Sequence, residues 1–225
     1  MKINQQDLSV LIPCFNAEKT IVRSVHSVLR NTVQPLEIII YDDCSTDASA
    51  KVLKELANKH QVIKVFFGSK NVGAGLARRR LLSEASGSFV AFLDSDDWWY
   101  ETKIETQFSL QRETGADVIT CYYDVFDEAE KKLGVRKPPA IITRTTMHIS
   151  NWLPTSMTVF KRQLTNETEM PSIGYRRDYA YWLKLFEANP ELKCVVAKQS
   201  LGAYSRRKGS LSSNKWRNVN SNYYM

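Results

Sequence analysis

The segment Phe92-Leu93-Asp94-Ser95-Asp96-Asp97 sets three carboxylates within four residues directly after an apolar run. Like charges packed that closely repel unless something neutralises them. Oxygen ligands at a strand end suit Mg²⁺ or Mn²⁺, which keep waters and also bind a diphosphate. The competing reading is a polar turn in which Ser95 or Asp97 caps the next helix. A second pair, Asp42-Asp43, follows the run Glu37-Ile38-Ile39-Ile40-Tyr41. It reads either as turn chemistry or as a fixed acceptor for the base or ribose of a nucleotide. Asn71-Val72-Gly73-Ala74-Gly75 allows a backbone to approach a ligand closely, and Arg78, about one helical turn later, is placed to reach nucleotide oxygens. A flexible helix entry is the alternative for that stretch.

These residues need elements to hold them. Ser9-Val10-Leu11-Ile12 ending in Pro13 predicts a strand that stops at the proline. Asn16 is the expected N-cap of a helix with Ile21, Val22, Val25, Val28 and Leu29 on one face. A second strand is expected over 37–41, then a helix capped by Thr46 or Asp47 that buries Val52, Leu53, Leu56 and Ala57. A strand over 62–67, a helix to about Ser86 stopped by Gly87, and a strand over 89–93 complete the alternation. That alternation predicts a doubly wound, parallel α/β sheet with ligands at the carboxyl ends of its strands, where both acidic clusters fall. Beyond Asp97 the pattern is less regular. It predicts a helix over 102–113, a strand over 118–123, a hairpin connection over 127–134, a helix over 178–189 ended by Pro190, and a strand over 194–197.

A chain of 225 residues, 43% hydrophobic, is long enough for one domain over 1–225. No stretch approaches the roughly 20 apolar residues that span a bilayer, and the first residues lack the apolar core of a secretory signal. A cytoplasmic protein is therefore expected. Cys14, Cys44, Cys121 and Cys194 are widely spaced and form no zinc or disulfide pattern. The formal charge of +7 suits an anionic partner, yet no nucleic-acid module accompanies the Arg78-Arg79-Arg80 triplet or the tail from Arg206 to Arg217. Nucleic acid is not expected as a partner. The tail reads as a solvated basic face or as a peripheral contact with the inner face of the cell membrane.

Taken in order, Ser9-Val10-Leu11-Ile12-Pro13-Cys14-Phe15-Asn16, Asp42-Asp43-x-Ser45-Thr46-Asp47, Asn71-x-Gly73-x-x-x-Ala77-Arg78 and Phe92-Leu93-Asp94-Ser95-Asp96-Asp97 resemble successive signatures of family 2 glycosyltransferases of the GT-A fold. The likeness continues to about Lys215, where Leu153-Pro154-Thr155-Ser156 and the stretch from Tyr204 are similar to the lipopolysaccharide and capsule branch. The resemblance implies a GT-A, Rossmann-like, mostly parallel sheet flanked by helices. Its nucleotide-sugar half would cover about 1–100, with a smaller irregular acceptor half over about 101–225. It implies a donor site of Pro13, Phe15, Asp43, Asn71, Gly73, Arg78, Asp94, Ser95 and Asp96, with a divalent metal, Mn²⁺ or Mg²⁺, held by Asp96 and Asp97. Asp178, in Arg176-Arg177-Asp178-Tyr179-Ala180-Tyr181-Trp182-Leu183, matches the family's general base, with Arg177 where the family has Glu and Arg79 where it has Asn. A capping role is the alternative for Asp178. The implied reaction is inverting transfer of a sugar, with a UDP-sugar as the expected donor, to a hydroxyl of a saccharide or lipid-linked acceptor. Trp152, Tyr175, Tyr181 and Trp182 are candidates to stack on sugar faces or to serve as core. A sugar nucleotidyltransferase or a dinucleotide oxidoreductase would need a Gly-rich loop after the first strand, and Pro13-Cys14-Phe15-Asn16-Ala17 is not one. A binder that keeps the donor motifs without catalysis would lack the base.

Overall fold

A computed structural model describes residues 5–166, 168 and 176–206. Along the chain run β1 (Gln5–Cys14), α1 (Ile21–Leu29), β2 (Gln34–Asp42), α2 (Ser49–Lys59), β3 (Ile63–Phe67), α3 (Ala74–Glu84) and β4 (Phe89–Phe92). Then come β5 (Trp98–Trp99), α4 (Lys103–Thr114), β6 (Val118–Phe126), β7 (Lys132–Arg136), α5 (Arg144–Ile149), β8 (Val159–Lys161), α6 (Arg177–Ala188) and β9 (Cys194–Ser205). One sheet joins the strands in the order β3-β2-β1-β4-β8-β6-β9-β5, with β7 paired to β6.

The first half is parallel, as the alternation of strands and helices requires: β2 pairs with β1 and β3, and β1 with β4, all in the same direction. Both faces are covered, so these strands read as continuous apolar runs. Leu11, Ile39, Val90 and Phe92 point into one core with Leu81 of α3 and Trp182 of α6. Val10, Ile12, Ile38, Ile40 and Ala91 point into the other with α1, α2 and α4. The two-residue period of a strand makes this division.

Several expected boundaries move. β1 continues through Pro13, which pairs with Tyr41. The ladder to β4 has already ended at Leu11–Phe92, so β2 alone holds β1 there and the missing N–H interrupts little. Asn16 does not cap α1; the N-cap is Thr20. Asn16 instead adopts a positive φ of 48° and accepts from the Thr46 N–H at 2.8 Å. The N-cap of α2 is Ala48 rather than Thr46 or Asp47. Asp47 accepts from the N–H groups of Ser49 and Glu18, and Glu18 accepts from the Ala48 N–H. The loops after β1 and β2 are thereby stitched to each other.

The second half adds the antiparallel strand β8 beside β4 and β6. The expected hairpin is present as β6 and β7. β9 is three times the length expected, because irregular pairing with β6 accommodates the polar stretch Lys198-Gln199-Ser200 and lets the strand run on to Ser205. Its last part pairs with β5, a two-residue strand immediately after the acidic segment. No helix among the described residues is long and apolar enough to cross a membrane.

Candidate donor and base site

The carboxyl ends of β1, β2 and β4 meet at one edge of the sheet, and each brings polar residues there. After β2, Asp43 is 2% exposed. Its Oδ1 accepts from the Val72 N–H at 2.8 Å and its Oδ2 from the Gly73 N–H at 2.7 Å. Asp43 therefore clamps the loop that opens α3, and any further donor must use its remaining lone pairs. Gly73 sits at φ 81°, a conformation that glycine adopts without strain. Pro13 is half-buried and Phe15 48% exposed at the end of β1, tied to β2 by the Asp43 N–H donating to the Cys14 carbonyl at 2.8 Å. Asn71 is exposed on the loop itself.

Arg78, on the second turn of α3, forms an ion pair with Asp94 after β4. Burial works against its charge, but Asp94 and, beyond it, Asp178 and Asp97 raise the guanidinium above its usual range. The cation thus stands electrostatically between the acidic segment and the expected base. Asp96 and Ser95 are half-buried on the turn. The Asp96 carbonyl accepts from Arg23 Nη2 at 2.8 Å.

Asp97 departs from the expected metal-ligand role. It is 1% exposed and turned inward, with Oδ2 accepting from the Ser156 hydroxyl at 2.5 Å and Oδ1 from the Ser205 N–H at 2.8 Å. Burial first, then the neighbouring charges of Asp96 and Asp94, push its carboxyl well above the usual carboxylate range. Ser156 Oγ also accepts from the Asp94 N–H at 3.1 Å, so one hydroxyl pins both ends of the acidic turn. Ser156 belongs to Leu153-Pro154-Thr155-Ser156, which the sequence singled out without giving it a task.

Asp178 lies in the first turn of α6 but does not cap it. The N-cap is Arg176, in the left-handed region at φ 49° with no side-chain cap bond. Asp178 Oδ2 accepts from Asn151 Nδ2 at 3.0 Å, and among the described residues its side chain accepts no other hydrogen bond. One oxygen is oriented and the other is left as an acceptor, which is the arrangement a base requires. Arg177, beside it, lies over the entry to α3. A Cβ built on Gly75 would come within 2.8 Å of Arg177 Nη1 and 2.9 Å of its Cδ. The base-bearing helix and the clamped loop are therefore in contact, through residues about 100 apart in sequence. No local signal marked Asn151, and Ser156 was marked only as part of its motif. Of the candidate sugar-stacking aromatics, Tyr181 and Trp182 are core residues, each 1% exposed. Trp152 is half-buried and donates to the Thr146 carbonyl, and Tyr175 lies outside the described residues.

Carboxylates at the ends of the parallel strands of a mixed sheet, with a base candidate brought in from a second half, define a glycosyltransferase of the GT-A class. The chain belongs to glycosyl transferase family 2, whose sequence model matches residues 9–180. It is 31% identical over 221 residues to TuaG of Bacillus subtilis, a glycosyltransferase named for teichuronic acid biosynthesis, covering 97% of this chain and 86% of that one. It is 29% identical over 212 residues to WfgD of Escherichia coli, a UDP-Glc:alpha-D-GlcNAc-diphosphoundecaprenol beta-1,3-glucosyltransferase, covering 94% and 82%. Among solved structures, residues 1–349 of S. aureus TarS with UDP-GlcNAc share the fold at a TM-score of 0.77 and 22% identity. That match covers 92% of this chain and 61% of that one.

Proposed function

We propose that this protein transfers a sugar from a UDP-sugar to a hydroxyl of a saccharide or lipid-linked acceptor, with inversion, in the synthesis of a cell-surface polysaccharide on the cytoplasmic side of the membrane. The observation that carries the reading is Asp178, oriented by Asn151 and within electrostatic reach of the cationic Arg78 that is paired with Asp94. Support for the donor comes from TarS, solved with UDP-GlcNAc, and from WfgD, named for UDP-Glc. The diphosphoundecaprenol in the name of WfgD supports a lipid-linked acceptor, and the name of TuaG supports a cell-surface polymer.

In this mechanism Asp178 takes the proton from the acceptor hydroxyl as its oxygen attacks the anomeric carbon. The bond from that carbon to the nucleotide diphosphate breaks in the same step, so configuration inverts. Arg78 holds Asp94 in place and adds positive charge near the departing diphosphate. Asp43 keeps the Val72–Gly73 backbone fixed where the nucleotide approaches, and Pro13 and Phe15 border it. Among the described residues no three His, Cys, Asp or Glu side chains gather into a metal cage. The donor set fits instead an ion that takes one or two carboxylates and fills its shell with water and substrate phosphates. Asp96, with the second oxygen of Asp94, would hold Mn²⁺ or Mg²⁺ there, and the ion would supply charge neutralisation at the diphosphate.

Asp178→Asn tests the reading, because it preserves size and the Asn151 contact while removing the basic lone pair. UDP affinity is expected to stay the same and kcat to fall by about 10²-fold or more. Near wild-type turnover in a release assay for nucleotide diphosphate, run across a panel of nucleotide sugars, would overturn it. The tail expected to touch the membrane lies, apart from Arg206, outside the described residues.

A further inference from the structure

A cleft of about 870 Å³ lies between α1 and residues 98–102, adjoining the acidic turn of the donor site through Arg23. Its size is that of an ordinary small-ligand site. One wall is a stripe of basic residues along α1 and its two ends: Lys19 in the turn before the N-cap Thr20, Arg23 and His26 within the helix, and Arg30 at its C-cap. The spacing of three and four puts Arg23, His26 and Arg30 on a single helical face, where like charges oppose one another. The facing wall is formed by Trp98, Tyr100 and Thr102, with Glu101 the only carboxylate in the lining.

The cations divide into two kinds. Arg23 is committed: it pairs with Glu130, donates to the Asp96 carbonyl and lies 3.9 Å from the Trp98 ring centroid. Lys19 and Arg30 are exposed and make no side-chain hydrogen bond or ion pair among the described residues. Burial, followed by Arg30, His60 and Lys59, lowers the pKa of His26, which marks the local field as positive. At 1.5 Å per residue the helical part from Arg23 to Arg30 runs for roughly 10 Å, and Lys19 extends the stripe beyond the start of the helix. Its inner part abuts the acidic turn through the Arg23–Asp96 contact.

We propose that this cleft holds an acidic stretch of the glycan acceptor, with its carboxylate or phosphate groups against Lys19 and Arg30 and its leading end beside the acidic turn at Asp96. Charge complementarity selects an anion. The concave form and the single exposed aliphatic side chain, Val22, do not suit a flat bilayer, which binds apolar faces. The length of the stripe suits several linked sugar rings better than one small anion. Such a site would keep a growing polymer near the reaction centre between transfers and would favour acidic over neutral acceptors.

The proposal rests on the glycosyl-transfer reading, and its test separates the two. The full chain is titrated by calorimetry with trigalacturonic acid, with neutral maltotriose and, separately, with UDP. Trigalacturonic acid is expected to bind, more weakly at raised salt, and maltotriose to bind poorly. In the double variant Lys19→Gln/Arg30→Gln, affinity for the acidic trisaccharide should fall roughly tenfold or more while UDP affinity holds. Equal binding of the two trisaccharides, or undiminished binding by the variant, would overturn the proposal. So would an effect of the variant seen only on phosphatidylglycerol vesicles. Failure of the wild-type chain to bind UDP would count against the transfer reading alone.

Discussion

Substituting Gly75 tests the contact between the base-bearing helix and the donor loop, and both sides of its effect follow from the structure. A methyl group at Gly75 would come within 2.8 Å of Arg177 Nη1 and 2.9 Å of Cδ. Carbon contacts are comfortable from about 3.5 Å, so Arg177 must retreat by roughly 0.6 Å. Overpacking of this kind costs about 1–3 kcal/mol, and replacing a helical glycine by alanine returns up to about 1 kcal/mol. Net stability should therefore fall by no more than about 3 kcal/mol, and by less to the extent that the glycine gain offsets the overpacking. Activity should fall further. Arg177 precedes Asp178 on the first turn of α6; where its retreat is passed through the backbone to Asp178, a displacement approaching 1 Å in a reacting group costs up to about 10²-fold. Gly75→Ala is accordingly expected to lower kcat by about 10- to 100-fold, with a smaller change in UDP affinity. The decisive measurement is a double-mutant cycle with Arg177→Ala. With the long side chain gone, the atoms nearest the added methyl are removed and it should cost little, giving a coupling energy of at least about 1 kcal/mol in transition-state terms. Additive losses in kcat would refute the argument and reduce the contact to simple packing.

Other outcomes follow from the same edge of the sheet and from the core below it. Ser156→Ala removes the donor to Asp97 and the acceptor for the Asp94 N–H, so denaturant unfolding should show a loss on the order of 3 kcal/mol, with weakened UDP binding by calorimetry. UDP should bind more tightly with Mn²⁺ than with chelator at matched ionic strength, and equal affinities would remove the ion from the mechanism. Glu37 is buried, which alone would raise its pKa, yet Lys64 and the hydroxyls of Ser86 and Ser9 bring it down to about 2. A depressed carboxyl stabilises the fold above its unfolded value near 4.5 and loses that contribution as pH falls toward 2. Glu37→Gln should therefore cost on the order of 2 kcal/mol at neutral pH and flatten the acid limb of a stability profile measured by urea unfolding, whereas an unchanged limb would dismiss this network.

The first half of the fold was legible because its signals are local. Val10, Leu11 and Ile12, and Ile38, Ile39 and Ile40, carry the apolar runs of strands covered on both faces, and the helices between them carry their own periodicity. The second half was read less completely. β9 outran its apolar core because pairing to β6 and β5, rather than composition, carries it to Ser205. The residue types for nucleotide-sugar chemistry stood in the sequence in order: Asp43, Arg78, the acidic turn at Asp94 to Asp97, and Asp178. Which way each carboxylate faces was decided only in three dimensions. Asp97 turns inward because Ser156 and Ser205, 59 and 108 residues away, supply the donors that make its burial tolerable. Asp43 clamps a loop 29 and 30 residues downstream, and Asp178 is aimed by an asparagine 27 residues upstream. Sequence alone determined which groups were available for the chemistry, since charge and hydrogen-bonding capacity belong to the side chain itself. Tertiary structure determined which of them are consumed as supports and which stay turned toward a substrate, because a buried polar atom is settled by partners that only the folded chain brings within reach.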